Sequence, residues 1–92
     1  MTEWDKLLEQ ARNSPNNMRF TDLCKLAELA GFIRRKGRRG SHLLFHHPGI
    51  ADAYDSAIPL QEGHSGKSKP YQVKQLLDLI EGYNLGPLER RR

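Results

Sequence analysis

The chain is poor in everything that staples or anchors a small protein. Cys24 is its one cysteine, so neither an intrachain disulfide nor a cysteine-paired zinc ribbon can form. No apolar run approaches the roughly 20 residues needed to span a bilayer. The first dozen residues alternate charged and apolar positions and lack the continuous hydrophobic centre of a secretory signal. No membrane association is therefore expected, and a cytoplasmic location is the reading. Acids are missing from residues 32 to 47, a stretch that carries five cations.

What remains is enough for one layered core. A chain of 92 residues buries roughly 60 to 65% of its unfolded surface on folding. With 37% hydrophobic and 28% charged residues the composition is that of a globular domain. The net charge of +4 is unevenly spread: residues 1 to 31 sum to −1, 32 to 47 to +5, 48 to 66 to −3 and 67 to 92 to +3. A block of five cations without an acid favours phosphate-rich partners and speeds encounter with them. The same block also reads as a solvated turn that keeps the protein soluble.

Hydrophobic spacing divides the chain into elements. Trp4, Leu7, Leu8 and Ala11 recur at helical spacing with Thr2 or Asp5 near the start, predicting an amphipathic helix over 2 to 12 that "NSPNN" breaks. A second helix is predicted over 20 to 30, with Thr21 and Asp22 as N-terminal formers. Its stripe is Leu23, Leu26, Ala27 and Ala30, and Gly31 suits a left-handed end. The period then falls to two. "FIRR" and "SHLLFH" flank "KGRRG", a link of hairpin length, so an antiparallel pair is expected. Alternation assigns Leu43 and Phe45 to a helix-covered core and leaves His42, Leu44 and His46 on the other face. "SAIPLQ" reads as a third strand at an edge, because Pro59 cannot donate to a ladder. After the polar loop 62 to 69, Pro70 opens a last helix with Val73, Leu76, Leu77 and Ile80 as its stripe, ended by Gly82 or Asn84. The expected fold is α+β, a three-stranded antiparallel sheet with helices on one face and an extra N-terminal helix.

Four histidines raise the question of a metal, which spacing answers. On a strand, His42 and His46 stand about 13 Å apart, and His46 and His47 face opposite sides. No metal and no cofactor is expected. Ser41 and His42 cannot form a nucleophile and base couple as strand neighbours, and no pair of acids is placed for two-metal hydrolysis.

One constellation carries chemistry: a histidine on an exposed sheet face with Lys36, Arg38 and Arg39 close in sequence. RNA brings its own nucleophile, the 2'-hydroxyl, so cleavage needs only proton removal and stabilisation of the phosphorane. Imidazole titrates near neutral pH and suits the first task. Guanidinium and ammonium groups suit the second, and Gly37 and Gly40 would let backbone approach a phosphate. A lone strand histidine is more often structural or incidental than catalytic, and the residues alone leave both readings open.

The stretches "RFTDLCKLAELAGF…GSHLLFHHP" and "IPLQ…GKSKPYQVKQLLDLIEGYNL", about residues 19 to 85, resemble the HicA family of bacterial toxins. The most specific part is Gly40-Ser41-His42 before a strand carrying Phe45 and Pro48, with Lys69 to Gln72 opening the last helix. The resemblance implies a double-stranded-RNA-binding-like fold of order α-β-β-β-α and a toxin that is an mRNA interferase. It gives His42 the catalytic role and implies a HicB-type antitoxin covering the active face. On that reading Arg34, Arg35, Lys36, Arg38, Arg39, Gly40 and Ser41 would hold RNA, with Lys67 and Lys69 as a second patch. The domains would be 1-18, an N-terminal helix and linker; 19-85, the toxin-like domain; and 86-92, a basic tail. The alternative is a non-catalytic RNA-binding module on the same surface.

Overall fold

The structure, a computed structural model, describes residues 2 to 35 and 42 to 87, with His42 described by its backbone. Lys36, Arg38, Arg39, Gly40 and Ser41 lie outside the described residues. The elements run α1 (Glu3–Asn13), α2 (Phe20–Leu29), β1 (Ile33–Arg35), β2 (His42–His46), β3 (Ala57–Gln61) and α3 (Pro70–Gly82). Short 3-10 turns occupy Pro15–Asn17 and His64–Gly66. No helix among the described residues is long and apolar enough to cross a membrane.

The ends of the helices follow from local chemistry. Thr2 caps α1 through a capping box: its Oγ1 accepts from the Asp5 N–H, and the Asp5 carboxylate accepts from the Thr2 backbone N–H. The C-terminus of α2 is a Schellman turn, in which Phe32 N–H reaches Ala27 O and Gly31 N–H reaches Glu28 O, each at 3.0 Å. Gly31 takes the left-handed position at φ +103° that a Cβ would resist. At the end of α3 it is Asn84, at φ +53°, that takes the equivalent place, with Leu85 N–H bonded to Ile80 O. The start of α2 differs from expectation. Its cap is Arg19 without a side-chain bond, and Thr21 lies inside the helix. A non-local contact holds that entry instead: Ser68 N–H donates to Met18 O at 2.8 Å, and Arg19 bridges antiparallel to Lys67.

The sheet is antiparallel with order β1-β2-β3. β2 is central, pairing Ile33 with His46, Arg34 with Phe45 and Arg35 with Leu44 on one side. On the other, His42 faces Gln61, Leu44 faces Pro59 and His46 faces Ala57. Phe45, Ile58 and Leu60 are wholly buried, Leu43 packs against them, and Leu44, Pro59 and Ile33 are exposed. One face of the sheet thus meets the helices and the other stays open, as alternation predicts. Each of the large buried side chains contributes about 1.5–3 kcal/mol relative to exposure.

All three helices feed one core. Trp4, Leu7 and Ala11 of α1 join Leu23, Leu26 and Ala27 of α2 and Val73, Leu76 and Ile80 of α3. Two surface ion pairs, Arg12 with Glu81 at 3.0 Å and Lys25 with Glu3 at 2.6 Å, tie α1 to its neighbours. Such half-exposed pairs contribute little energy but fix orientation.

Pro59 sits on an edge strand, and the outer border of that strand is closed by a side chain. Gln72, buried at the start of α3, accepts from Gln61 N–H at 3.0 Å and donates its Nε2 to Pro59 O at 3.3 Å. One amide side chain thereby substitutes for a residue of a fourth strand.

Candidate functional site

The register fixes which chemistry-bearing positions share a neighbourhood. His42 opens β2 opposite Gln61 and has the strand parity of Leu44 and His46. Arg35, exposed and opposite Leu44, stands on the diagonal to His42, about 7–8 Å away by sheet geometry. On the other side of His42, Gln61 accepts a hydrogen bond from Lys69 Nζ at 2.9 Å. Lys69 is the residue at which the chain enters α3, so the N-terminus of that helix and its positive dipole end adjoin the His42 row. The sequence reading put Lys69 in a second patch with Lys67; in the fold, Gln61 links it to the His42 row.

Lys67 and His64 complete this corner. They line a pocket of about 300 Å³ with Asn16, Ser68, Lys69 and Pro70. Lys67 Nζ lies 3.4 Å from Asn17 Oδ1. Both lysines are thus met by neutral amide oxygens, which leave their charge uncancelled. Arg19 is a further cation that sequence reasoning missed. It stands across the bridge from Lys67, 48 positions away in sequence, and only the folded chain brings the two together.

Arg34 does not belong with these groups. Opposite Phe45, it falls on the helix-covered side at the sheet edge. Its guanidinium carbon lies 5.4 Å from the Phe45 ring centroid and its Nε 3.2 Å from Glu28 Oε2. Hydropathy alone would bury Ile33, but the register turns it to the open face and leaves it 55% exposed, while Arg34, itself exposed, lies on the Phe45 side. The long stem of Arg34 covers Phe45 while its head reaches the α2 carboxylate.

The remaining histidines separate by environment. His46 lies at the far end of β2, between Ile33 and Ala57. His47 is buried and fully engaged, with Nε2 3.0 Å from Ala30 O and Nδ1 accepting from Gly49 N–H at 3.0 Å. A carbonyl can only accept, so Nε2 carries the proton and the ring is neutral. Its edge also meets Phe32, the centroids 5.0 Å apart. Among the described residues no group of three metal-ligating side chains converges.

The opposite end of the sheet has the opposite charge. A groove of about 360 Å³ near Ala57 is lined by Asp55, Asp78, Tyr54 and Tyr83, at the negative end of α3. The Tyr83 hydroxyl donates to Asp55 Oδ2 at 2.6 Å, a bond that pushes the phenol up to about 12. An anionic ligand is therefore favoured at the Gln61 end and disfavoured at the Ala57 end. Cys24 plays no part in either site: it is packed in the core, and burial pushes its thiol up to about 11.

No family model, no curated protein and no solved structure matches the chain. The likeness to HicA toxins thus rests on the residues quoted for it.

Proposed function

We propose that the chain is a metal-independent endoribonuclease that uses His42 as its base, the toxin of a pair silenced by a HicB-type antitoxin in the cytoplasm. The segment from α2 to α3 is read as its double-stranded-RNA-binding-like unit. The observation that carries the reading is the Lys69 Nζ bond to Gln61, the residue facing His42 across the sheet. It supplies a fixed cation beside the one histidine that the sequence ties to a phosphate-binding segment.

The chemistry requires few parts. The His42 imidazole takes the proton of a ribose 2'-hydroxyl, and the 2'-oxygen attacks the adjacent phosphorus. The bond from phosphorus to the 5'-oxygen breaks, giving a 2',3'-cyclic phosphate and a new 5'-hydroxyl. Lys69 and Arg35, with Lys36, Arg38 and Arg39 from the adjoining segment, offset the charge of the phosphorane. The candidate donors for the departing oxygen are Lys36, water and His64, which lines the pocket beside Lys69. Arg34 is left out of this set because Glu28 already neutralises it. The open face, with Ile33 and Leu44 exposed beside Arg35, offers the antitoxin an apolar patch with a basic margin.

The test is cleavage of a labelled RNA by the purified protein in EDTA. Cutting is expected with a cyclic phosphate end, and none at a position whose 2'-hydroxyl is methylated. His42→Ala should abolish it without changing the circular dichroism spectrum. Retained cleavage by that variant would remove His42 from the mechanism. RNA that is bound yet never shortened would leave the second reading, a non-catalytic RNA-binding module on the same cationic corner.

A further inference from the structure

The closure of β3 stops short of its first residue. Gln61 N–H and Pro59 O point outward to the Gln72 amide, so strand parity turns the N–H and C=O of Ala57 to the same border. Ser56, one residue earlier, has the opposite parity: its carbonyl points inward and accepts from His47 N–H at 2.8 Å. Gln72 reaches no further than Pro59, and among the described residues no hydrogen bond meets the outward groups of Ala57. Ala57 is half-buried and lines the groove of about 360 Å³ at the end of α3. Asp78, Leu79 and Tyr83 line it from α3, the helix that flanks β3 on its outer side, as the Gln72 bonds show. The groove therefore lies where the Ala57 N–H and C=O point.

We propose that this groove is the docking site for an extended segment of a partner protein that carries an arginine and joins the sheet beside Ala57. The Ala57 N–H would donate to a carbonyl of the incoming segment and the Ala57 C=O would accept from its N–H, as when a strand is added to an exposed edge. Charge selects the side chain. Asp78 has neither a hydrogen bond nor an ion pair among the described residues, and Asp55 keeps Oδ1 after Oδ2 accepts from Tyr83. No lining residue is a cation, and the negative end of α3 adds to the field. Tyr54, 85% exposed, and Tyr83 supply aromatic rings, on which a guanidinium stacks better than an ammonium. Ala57 and Leu79 offer apolar surface to its methylene stem. A main-chain pair, two carboxylates and two rings thus call for one kind of ligand. The chain's own Arg90, Arg91 and Arg92 have the right charge, but Leu85 N–H binds Ile80 O and Leu85 packs on the core, so the chain leaves α3 on the side of Ile80 and not that of Asp78. The groove lies at the opposite end of β3 from Gln61, which faces His42, so this docking site stands apart from the ribonuclease reading.

The experiment reads binding and not cleavage, so the two proposals fail separately. The probe is a blocked pentapeptide, acetyl-Thr-Val-Arg-Val-Thr-amide, titrated at low salt into the full chain labelled with nitrogen-15. Saturable amide shifts centred on Ala57 and residues 75 to 83 are expected, with slowed hydrogen exchange at the Ala57 N–H. The peptide with glutamate in place of arginine should bind about tenfold more weakly, and so should the arginine peptide to Asp78→Asn, each losing a charge-assisted contact. Methylating alternate amide nitrogens of the peptide separates an added strand from a mere cation. In one alternating set the methyls face Ala57 and binding should be lost; in the other they face away and it should persist. Equal affinity of the two methylated peptides, an Ala57 N–H that exchanges as fast as before, or shifts that never saturate would overturn the docking site. Tighter binding to the chain carrying Arg90→Gln, Arg91→Gln and Arg92→Gln than to the parent would assign the groove to the chain's own end and overturn the partner.

Discussion

His47 fastens the end of β2 to the end of α2: its Nε2 sits 3.0 Å from Ala30 O, directly over the glycine that terminates the helix. A Cβ added at Gly31 would meet that nitrogen at 2.7 Å. The left-handed turn and the buried ring therefore require each other. His47→Ala should destabilise the fold by about 3 kcal/mol, through lost packing and an orphaned carbonyl and N–H. Gly31→Ala should cost about 2 kcal/mol from strain and contact together. Urea denaturation of the double variant tests the coupling. The cost of Gly31→Ala should shrink when His47 is already alanine, leaving only the backbone strain.

Arg34 and Arg35 are neighbours with opposite duties. Arg35→Ala should lower the salt dependence of RNA binding by about one unit while leaving stability unchanged. Arg34→Ala should leave that slope alone and reduce stability by about 1 kcal/mol, from the half-exposed pair with Glu28 and the contact with Phe45. Filter binding over a salt series, beside urea melts, separates them. Equal slopes for the two variants would contradict the register-based assignment.

Gln72→Ala would open the border of β3. The Gln61 N–H and Pro59 C=O would each lose their partner, at a cost of about 1–3 kcal/mol. Hydrogen exchange at Gln61 should quicken more than at Phe45, whose place in the central strand is unaffected. Uniform acceleration along β2 and β3 would mean that Gln72 supports the fold in some other way.

Alkaline titration has a definite sign. Burial raises the Cys24 thiol to about 11, and the bond to Asp55 raises the Tyr83 phenol to about 12. Both groups hold their protons more tightly when folded. Their stabilising effect is complete below the unfolded values, 9.0 for the thiol and 10.0 for the phenol, and it is lost as pH climbs through the folded ones. Stability should therefore begin to fall above about pH 9. Asp55→Asn should move the Tyr83 ionisation, followed by phenolate absorbance against Tyr83→Phe, back toward the ordinary range. In native protein at pH 8, Cys24 should react with a thiol reagent only after unfolding.

Much of this architecture was legible before folding because the signals are local. The stripe Leu23, Leu26 and Ala27, the alternation of Leu43 and Phe45 with Leu44, Gly31 after a helix and Pro59 in an edge strand each act within a few residues. The site was legible only in part. Arg34 lies over Phe45, which stands opposite, and reaches Glu28, and His47 is a core group because Ala30 and Gly49 meet its two nitrogens. Arg19 joins the cationic corner because the loop at Lys67 returns to it. Except for Gly49, two residues from His47, none of these partners lies within one turn or one strand of its mate, and no periodicity records them.

The Gln72 amide also settles how this sheet can grow. With Gln72 bonded to Gln61 N–H and Pro59 O on the β3 side, the other border of the described sheet is Ile33–Arg35. That border ends in Arg34, already paired with Glu28, and Arg35, whose charge disfavours a second copy of itself and favours a carboxylate-bearing strand. Self-assembly by edge pairing is thereby discouraged, and a chain that extends the sheet at this border is favoured when it carries negative charge.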